Sequence, residues 1–128
     1  MRLLLDTHIA LWALIDSPRM PAEARGLILS PDNRIVVSAA SIWEIAIKHG
    51  LGRGDMPISG EEALEWFGSA GYSLLSISPE HTAAVERLAS HHQDPFDRLL
   101  VAQALSEPLR LLTHDSMVAK YSDTVILV

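Results

Sequence analysis

The stretch RIVVSAASIWEIAIKHG, residues 34–50, runs a β-branched apolar segment straight into a helical one. RIVVS (34–38) has the make-up of a strand buried on both faces. AASIWEIAIKHG (39–50) carries helical spacing, closes on Gly50 and starts beside two candidate caps, Ser38 and Ser41. The same alternation extends outward in both directions. Towards the N-terminus, RLLLD (2–6) is a strand stopped by an aspartate, THIALWALI continues as a helix, PAEARGLILS (21–30) is a second helix, and SPDN (30–33) is a turn. Towards the C-terminus come a helix GEEALEWFGSAG (60–71), a strand YSLLSI (72–77), and a helix PEHTAAVERLASHH (79–92) opened by Pro79. A further helix DPFDRLLVAQALS (94–106), a strand LRLLT (109–113) and a short C-terminal strand TVILV (124–128) complete the chain. Continuous apolar strands alternating with helices predict a parallel sheet covered on both faces. Such sheets bind ligands beyond the carboxyl ends of their strands, where the strand order reverses.

Size and composition agree with one compact domain over residues 1–128. Of the 128 residues 48% are hydrophobic, enough for a full core. There is no cysteine, which excludes disulfides and thiolate metal sites. Met1-Arg2 leads directly into LLLD, too short for a secretory apolar segment, and no run is long enough for a membrane span, so the expectation is a soluble cytoplasmic protein without membrane contact. Ten basic against sixteen acidic residues leave a net charge of −6 and a pI near 5.4. That argues against gripping nucleic acid with a broad basic face, but not against a nuclease, because clustered acids can be metal ligands.

The acids fall in a pattern. Asp6 ends the first strand, and Asp115 lies just past LLT. Glu44 sits in an otherwise apolar helix among Ile42, Trp43, Ile45, Ala46 and Ile47, and Asp97 occupies the first turn of the helix feeding the fourth strand. All four map to one rim of the sheet. In HHQDPFDRLLVAQA (91–104), Asp94 reads as an N-cap, Pro95 as the first helical residue, and Asp97 as an acid placed favourably at a helix N-terminus. Ionised carboxylates in apolar surroundings cost several kcal/mol each to desolvate, and drawn together they repel. A hard divalent ion resolves that conflict, and Mg²⁺ or Mn²⁺ suits oxygen ligands.

LLLDTH, SAASIWEIAIK, HHQDPFDRLLVAQA and LLTHD together resemble the PIN-domain ribonucleases, in particular the VapC-type toxins of toxin–antitoxin pairs, in the family's order and across essentially the whole chain. The resemblance implies a three-layer α/β/α sandwich with a five-stranded parallel sheet. It also implies a metal-dependent endoribonuclease, usually a homodimer, that hydrolyses RNA phosphodiester bonds (of transfer or ribosomal RNA in many relatives) and is neutralised by a cognate antitoxin. Operator DNA is then contacted chiefly through the antitoxin. Carried over by position, the acidic site falls on Asp6, Glu44, Asp97 and Asp115, with Asp94 as the helix cap. Asp6, Asp97 and Asp115 are expected to hold the first Mg²⁺, while Glu44 either completes that site or holds a second ion arriving with RNA. Thr7 and Thr113, beside two of the acids, resemble polar neighbours that position a ligand or water.

Other residues receive plainer expectations. No H-x-E or HExxH spacing appears among His8, His49, His81, His91, His92 and His114, so polar supporting roles are favoured over histidine-ligated metal; His91 and His92 are read as lying on different sides of a helix end. Trp12, Trp43 and Trp66 are read as core or dimer packing. Lys48, Arg53 and Arg98 lie near enough in sequence to meet a phosphate, with solvated surface roles as the alternative. Two rival functions stay open: a different metal-dependent phosphohydrolase, against which Asp6-Thr7-His8 lacks an aspartate two residues after the first, and a non-catalytic regulatory partner binding operator DNA through an antitoxin.

Overall fold

A computed structural model describes residues 1–52 and 54–128; Arg53, one of the candidate phosphate contacts, lies outside the described residues. The chain runs β1 (Arg2–Leu5), α1 (Thr7–Ile15), α2 (Ala22–Leu29), β2 (Arg34–Ser38), α3 (Ala39–Gly50), α4 (Gly60–Ser69), β3 (Ser73–Leu75), α5 (Pro79–Ala84), α6 (Pro95–Ser106), β4 (Arg110–Thr113), α7 (Ser116–Ala119) and β5 (Ile126–Leu127). The strands form one five-stranded sheet in the order β3-β2-β1-β4-β5, every pair parallel. The order reverses between β1 and β4, and this is where such a sheet opens a crevice.

Strand alternation divides the core into two layers. Leu3 and Leu5 of β1, Ile35 and Val37 of β2, and Leu112 of β4 face α1 to α4, packing on Ile9, Ala10, Ala24, Ile45, Ala63 and Phe67. Their neighbours Leu4, Val36 and Leu111 face the other way, onto Leu99, Leu100, Val101 and Ala104 of α6 and Val118 of α7. The result is the expected α/β/α sandwich. Leu3, Leu4, Leu5 and Leu112 are wholly buried, each contributing roughly 1.5–3 kcal/mol by area removed from water. No helix among the described residues is long and apolar enough to cross a membrane.

Three elements fall well short of the sequence reading, the others moving by no more than two residues at an end. The strand expected over 72–77 pairs only over Ser73–Leu75, and that over 124–128 only over Ile126–Leu127; both are edge strands with a single neighbour. The helix expected over 79–92 ends at Ala84, tightens into a 3₁₀ turn over Val85–Arg87, and leaves the helical region at Leu88 (ψ 143°). Arg98 holds the segment in this form: its guanidinium takes the carbonyls of Val85 (3.2 Å), Ala89 (2.9 Å) and His92 (3.3 Å), tying the 3₁₀ turn and the loop after it to α6. His91 and His92 therefore stand in that loop and not at a helix end.

Helices α3 and α4 approach closely at Gly60, the first residue of α4. A Cβ there would lie 2.6 Å from Ala46 Cβ and 3.2 Å from Ala46 Cα. Gly60→Ala is therefore expected to destabilise the protein by about 1–3 kcal/mol, the usual cost of overpacking. Urea unfolding checks it; a midpoint equal to or above wild type would contradict the packing described.

Candidate active site

Each acid reaches the sheet's carboxyl edge by a local device. Asp6 follows β1 and caps α1, its Oδ1 accepting the His8 N–H at 3.1 Å. Asp115 follows β4 and caps α7, its Oδ1 accepting the Met117 N–H at 2.8 Å. Asp94 caps α6, accepting the N–H groups of Phe96 (2.8 Å) and Asp97 (3.0 Å) on one oxygen, which starts the helix so that Asp97 stands in its first turn. Ser38, rather than Ser41, caps α3: its Oγ accepts the Ala40 N–H at 3.0 Å and its hydroxyl donates to Gln103 Oε1 at 2.5 Å. That bond ties the start of α3, the helix carrying Glu44, to α6, the helix carrying Asp97.

Three of the four acids share a cavity where the strand order reverses. Asp6, Asp97 and Asp115 line one cavity of ≈ 460 Å³, walled by His8, Trp12, Arg19, His114 and Ser116. Glu44 does not line it; it is 3% exposed, and its charge bears on both Asp6 and Asp97. Glu44 Oε2 accepts from Lys48 Nζ at 2.6 Å, whereas the buried Oε1 has no hydrogen-bond partner among the described residues. Thr113 donates to Asp6 Oδ2 at 2.7 Å and accepts the Asp115 N–H at 3.0 Å, so one hydroxyl links two of the acids. Thr7 is turned to Ser41 instead, with 2.9 Å between the hydroxyls.

Burial and crowding work on these groups together. Asp97 is pushed up to about 7, by desolvation first and then by the charges of Asp6, Asp94 and Glu44, with His92 opposing. Burial also raises Asp6, against the hydrogen bonds from Thr113 and the His8 N–H. Asp115 goes the other way: partial desolvation is outweighed by the Met117 N–H and by His92, and its pKa falls. For Lys48, burial opposes the charge but the Glu44 carboxylate prevails, and its pKa rises.

His92 joins the group, though the sequence reading gave it no specific role. Its Nε2 lies 3.0 Å from Asp115 Oδ2 and 3.3 Å from Asp97 Oδ2, and the three side chains bring ligand-type atoms within 4.8 Å of one another. A usable signal was present: a histidine two residues before an N-cap can accept that residue's N–H, as His92 Nδ1 accepts from Asp94 at 3.0 Å. Arg19, on the cavity wall, carried no such signal. Of the expected phosphate contacts, Lys48 is bound to Glu44 and Arg98 to backbone carbonyls and Tyr121. Trp12 packs against the core between the rings of His8 and His114. Trp43 is not a core residue; it is 54% exposed and lies edge-on to Phe96.

The oxygen-rich, partly desolvated cavity could hold a hard divalent cation. Comparison with known proteins agrees with the architecture. The fold resembles VapBC2 from Rickettsia felis bound to a DNA fragment from its promoter (TM-score 0.69, 19% identity, 100% of this chain and 98% of that one). It also resembles VapBC-1 from nontypeable Haemophilus influenzae (0.66, 20%, 100% and 97%) and a toxin–antitoxin complex from Klebsiella pneumoniae (0.64, 19%, 97% and 95%). At these identities the likeness is one of fold. No curated protein matches the chain. The sequence pattern of the PIN domain matches residues 3–123, nearly the whole sandwich and every one of the acids above, and the chain belongs to the PIN domain family.

Proposed function

We propose that this chain, a single PIN domain over residues 1–128, is a metal-dependent endoribonuclease and the toxin of a toxin–antitoxin pair. The observation that carries the metal is Glu44 Oε1: a buried carboxylate oxygen without a partner among the described residues, on a side chain whose charge bears on Asp6 and Asp97. Leaving such an atom unsatisfied is costly, and a cation of hard character relieves it together with the crowding that lifts Asp97. Mg²⁺ or Mn²⁺ fits the donor set. Asp6, Asp97 and Asp115 would hold the ion, with Glu44 completing that site or holding a second ion. The bound ion would neutralise charge on the phosphoryl oxygens, activate water and ease departure of the 3′ oxygen.

The remaining roles belong to the chain's own residues. Thr113 fixes the direction of the Asp6 carboxylate, Asp94 sets the start of α6, and the Ser38–Gln103 bond keeps α3 and α6 in register. Arg19, at the cavity wall, supplies positive charge for the RNA backbone that the net charge of −6 does not. The apolar groove between α3 and α4, bordered by half-exposed Trp43 and Leu64, suits a protein partner, as a cognate antitoxin or a second copy would be. Operator DNA is then reached through the antitoxin, and the site of action is the cytoplasm.

Labelled RNA and a phosphomonoester, each incubated with the purified chain in Mg²⁺ and in EDTA, test the reading. RNA cleavage in Mg²⁺ alone, with the monoester untouched, is expected; turnover of the monoester with intact RNA would overturn it. Metal affinity adds a second check. Because Asp97 is protonated below about 7 and the ion must displace that proton, the apparent Mn²⁺ affinity should rise about tenfold per pH unit from 5.5 to 7 and flatten above. Calorimetric titration reads this directly, and a flat profile would remove Asp97 from the ligands.

A further inference from the structure

The position of His92 beside Asp97 and Asp115 suggests at first a mixed nitrogen–oxygen metal site. Its hydrogen bonds say otherwise. Nδ1 accepts the backbone N–H of Asp94 at 3.0 Å, so that nitrogen presents its lone pair and carries no proton. The ring proton is therefore on Nε2, which faces Asp115 Oδ2 at 3.0 Å and Asp97 Oδ2 at 3.3 Å. A neutral imidazole that binds a cation through Nε2 needs its proton on Nδ1, and here that proton would meet the Asp94 N–H head-on. The same peptide N–H belongs to the residue that caps α6, so the arrangement cannot be changed without disturbing the helix start.

The loop is built to hold the ring there. The His92 N–H donates to Tyr121 Oη at 2.9 Å, and the His92 carbonyl accepts from Tyr121 and from Arg98, each at 3.3 Å. Arg98 also donates to Tyr121 Oη at 2.9 Å, which closes the clamp. Both backbone polar groups of a residue in a non-helical segment are thus fixed by side chains from α6 and from beyond α7. Asp115 lies at the end of β4 and Asp97 on α6, so a donor between them couples two elements of the site.

We propose that His92 is a positioning residue: its Nε2–H holds the carboxylates of Asp115 and Asp97 side by side and is not itself a ligand of the ion. This rests on the metal-dependent reading above, and it refines that reading by assigning the ion an all-oxygen protein shell. It also assigns Tyr121 and Arg98 to the support of that shell through the His92 backbone.

Two spectroscopic measurements on the full chain test it. Long-range ¹⁵N–¹H correlation of the histidine rings is expected to show His92 as the Nε2–H tautomer, both metal-free and with Mg²⁺. Electron spin echo spectroscopy of the Mn²⁺-loaded protein is expected to show no directly bound nitrogen. His92→Ala should retain its fold by circular dichroism yet bind Mn²⁺ about 10–100-fold more weakly, the range seen when a group that orients ligands is removed. A proton on Nδ1, or a bound nitrogen signal that vanishes in His92→Ala, would overturn the proposal. So would unchanged Mn²⁺ affinity in that variant. Failure of wild type to bind Mn²⁺ at all would sink the metal reading separately, and the metal-free tautomer would still decide the role of His92.

Discussion

Replacing Asp6 with asparagine is expected to lower RNA cleavage by about three orders of magnitude or more while leaving the protein folded. A metal-held phosphoryl centre draws several kcal/mol of transition-state stabilisation from its ion, and each 1.36 kcal/mol is tenfold in rate. Asparagine removes the charge and keeps the geometry. Its carboxamide oxygen can accept the His8 N–H, and its amide can donate to Thr113 Oγ1, which turns the direction of that bond without breaking it. Since Asp6 is buried, a neutral group there is also cheaper to desolvate. Gel-resolved cleavage in Mg²⁺, with circular dichroism as the folding control, decides the matter. Wild-type rates from Asp6→Asn would take that residue out of the site.

Asp97→Asn should do the opposite to stability in the absence of metal: raise it. The folded chain holds Asp97 at about 7 against an ordinary 3.8, so the folded state binds that proton more tightly than the unfolded one. A raised carboxyl pKa leaves stability intact below about pH 4 and removes it progressively as pH climbs to about 7. Three units correspond to about 4 kcal/mol, shared with the carboxylates that crowd it. Loss of an acid from the first turn of α6 costs up to about 1 kcal/mol in the other direction. The net expectation is a gain of about 2–3 kcal/mol over wild type in EDTA at pH 8, vanishing below pH 4. Saturating Mn²⁺ should reverse the order, because at a thousand times Kd the ion adds about 4.1 kcal/mol to the wild type alone. Urea unfolding at pH 4 and pH 8, with and without Mn²⁺, measures all of this. Equal stability of the two proteins in EDTA at pH 8 would mean that Asp97 is not under the proposed strain.

An acidic site that opposes folding while it holds no ion calls for supports. Thr113 bridges Asp6 and Asp115, Lys48 pairs with one oxygen of Glu44, and His92 spans Asp97 and Asp115. Each lends a proton or a positive charge where carboxylates would otherwise face one another alone. The supports come from β4, α3 and the loop before α6, so the cost of gathering the acids is spread over the sandwich.

Residue order alone determined the parts of this protein that depend on short-range physics. An aspartate ending an apolar strand becomes the cap of the next helix, as Asp6 and Asp115 do, and Asp94-Pro95 starts α6 with Asp97 one turn in. Those relations span three or four residues, and so the strands, a parallel sheet covered on both faces and the common rim of the acids were readable from spacing, while the three-layer sandwich came from the family resemblance. Tertiary structure decided what rests on groups far apart in the chain. Arg98 takes the Val85 carbonyl, which a helix over 79–92 would have used internally, together with those of Ala89 and His92, and the loop it holds carries His92 to the acids. Glu44 Oε1 is buried with no hydrogen-bond partner among the described residues, and Thr113 finds Asp6 from 107 residues away. Spacing along a chain conveys which face a side chain takes; only the closed fold sets which buried atom, here Glu44 Oε1, is left without a partner among the described residues.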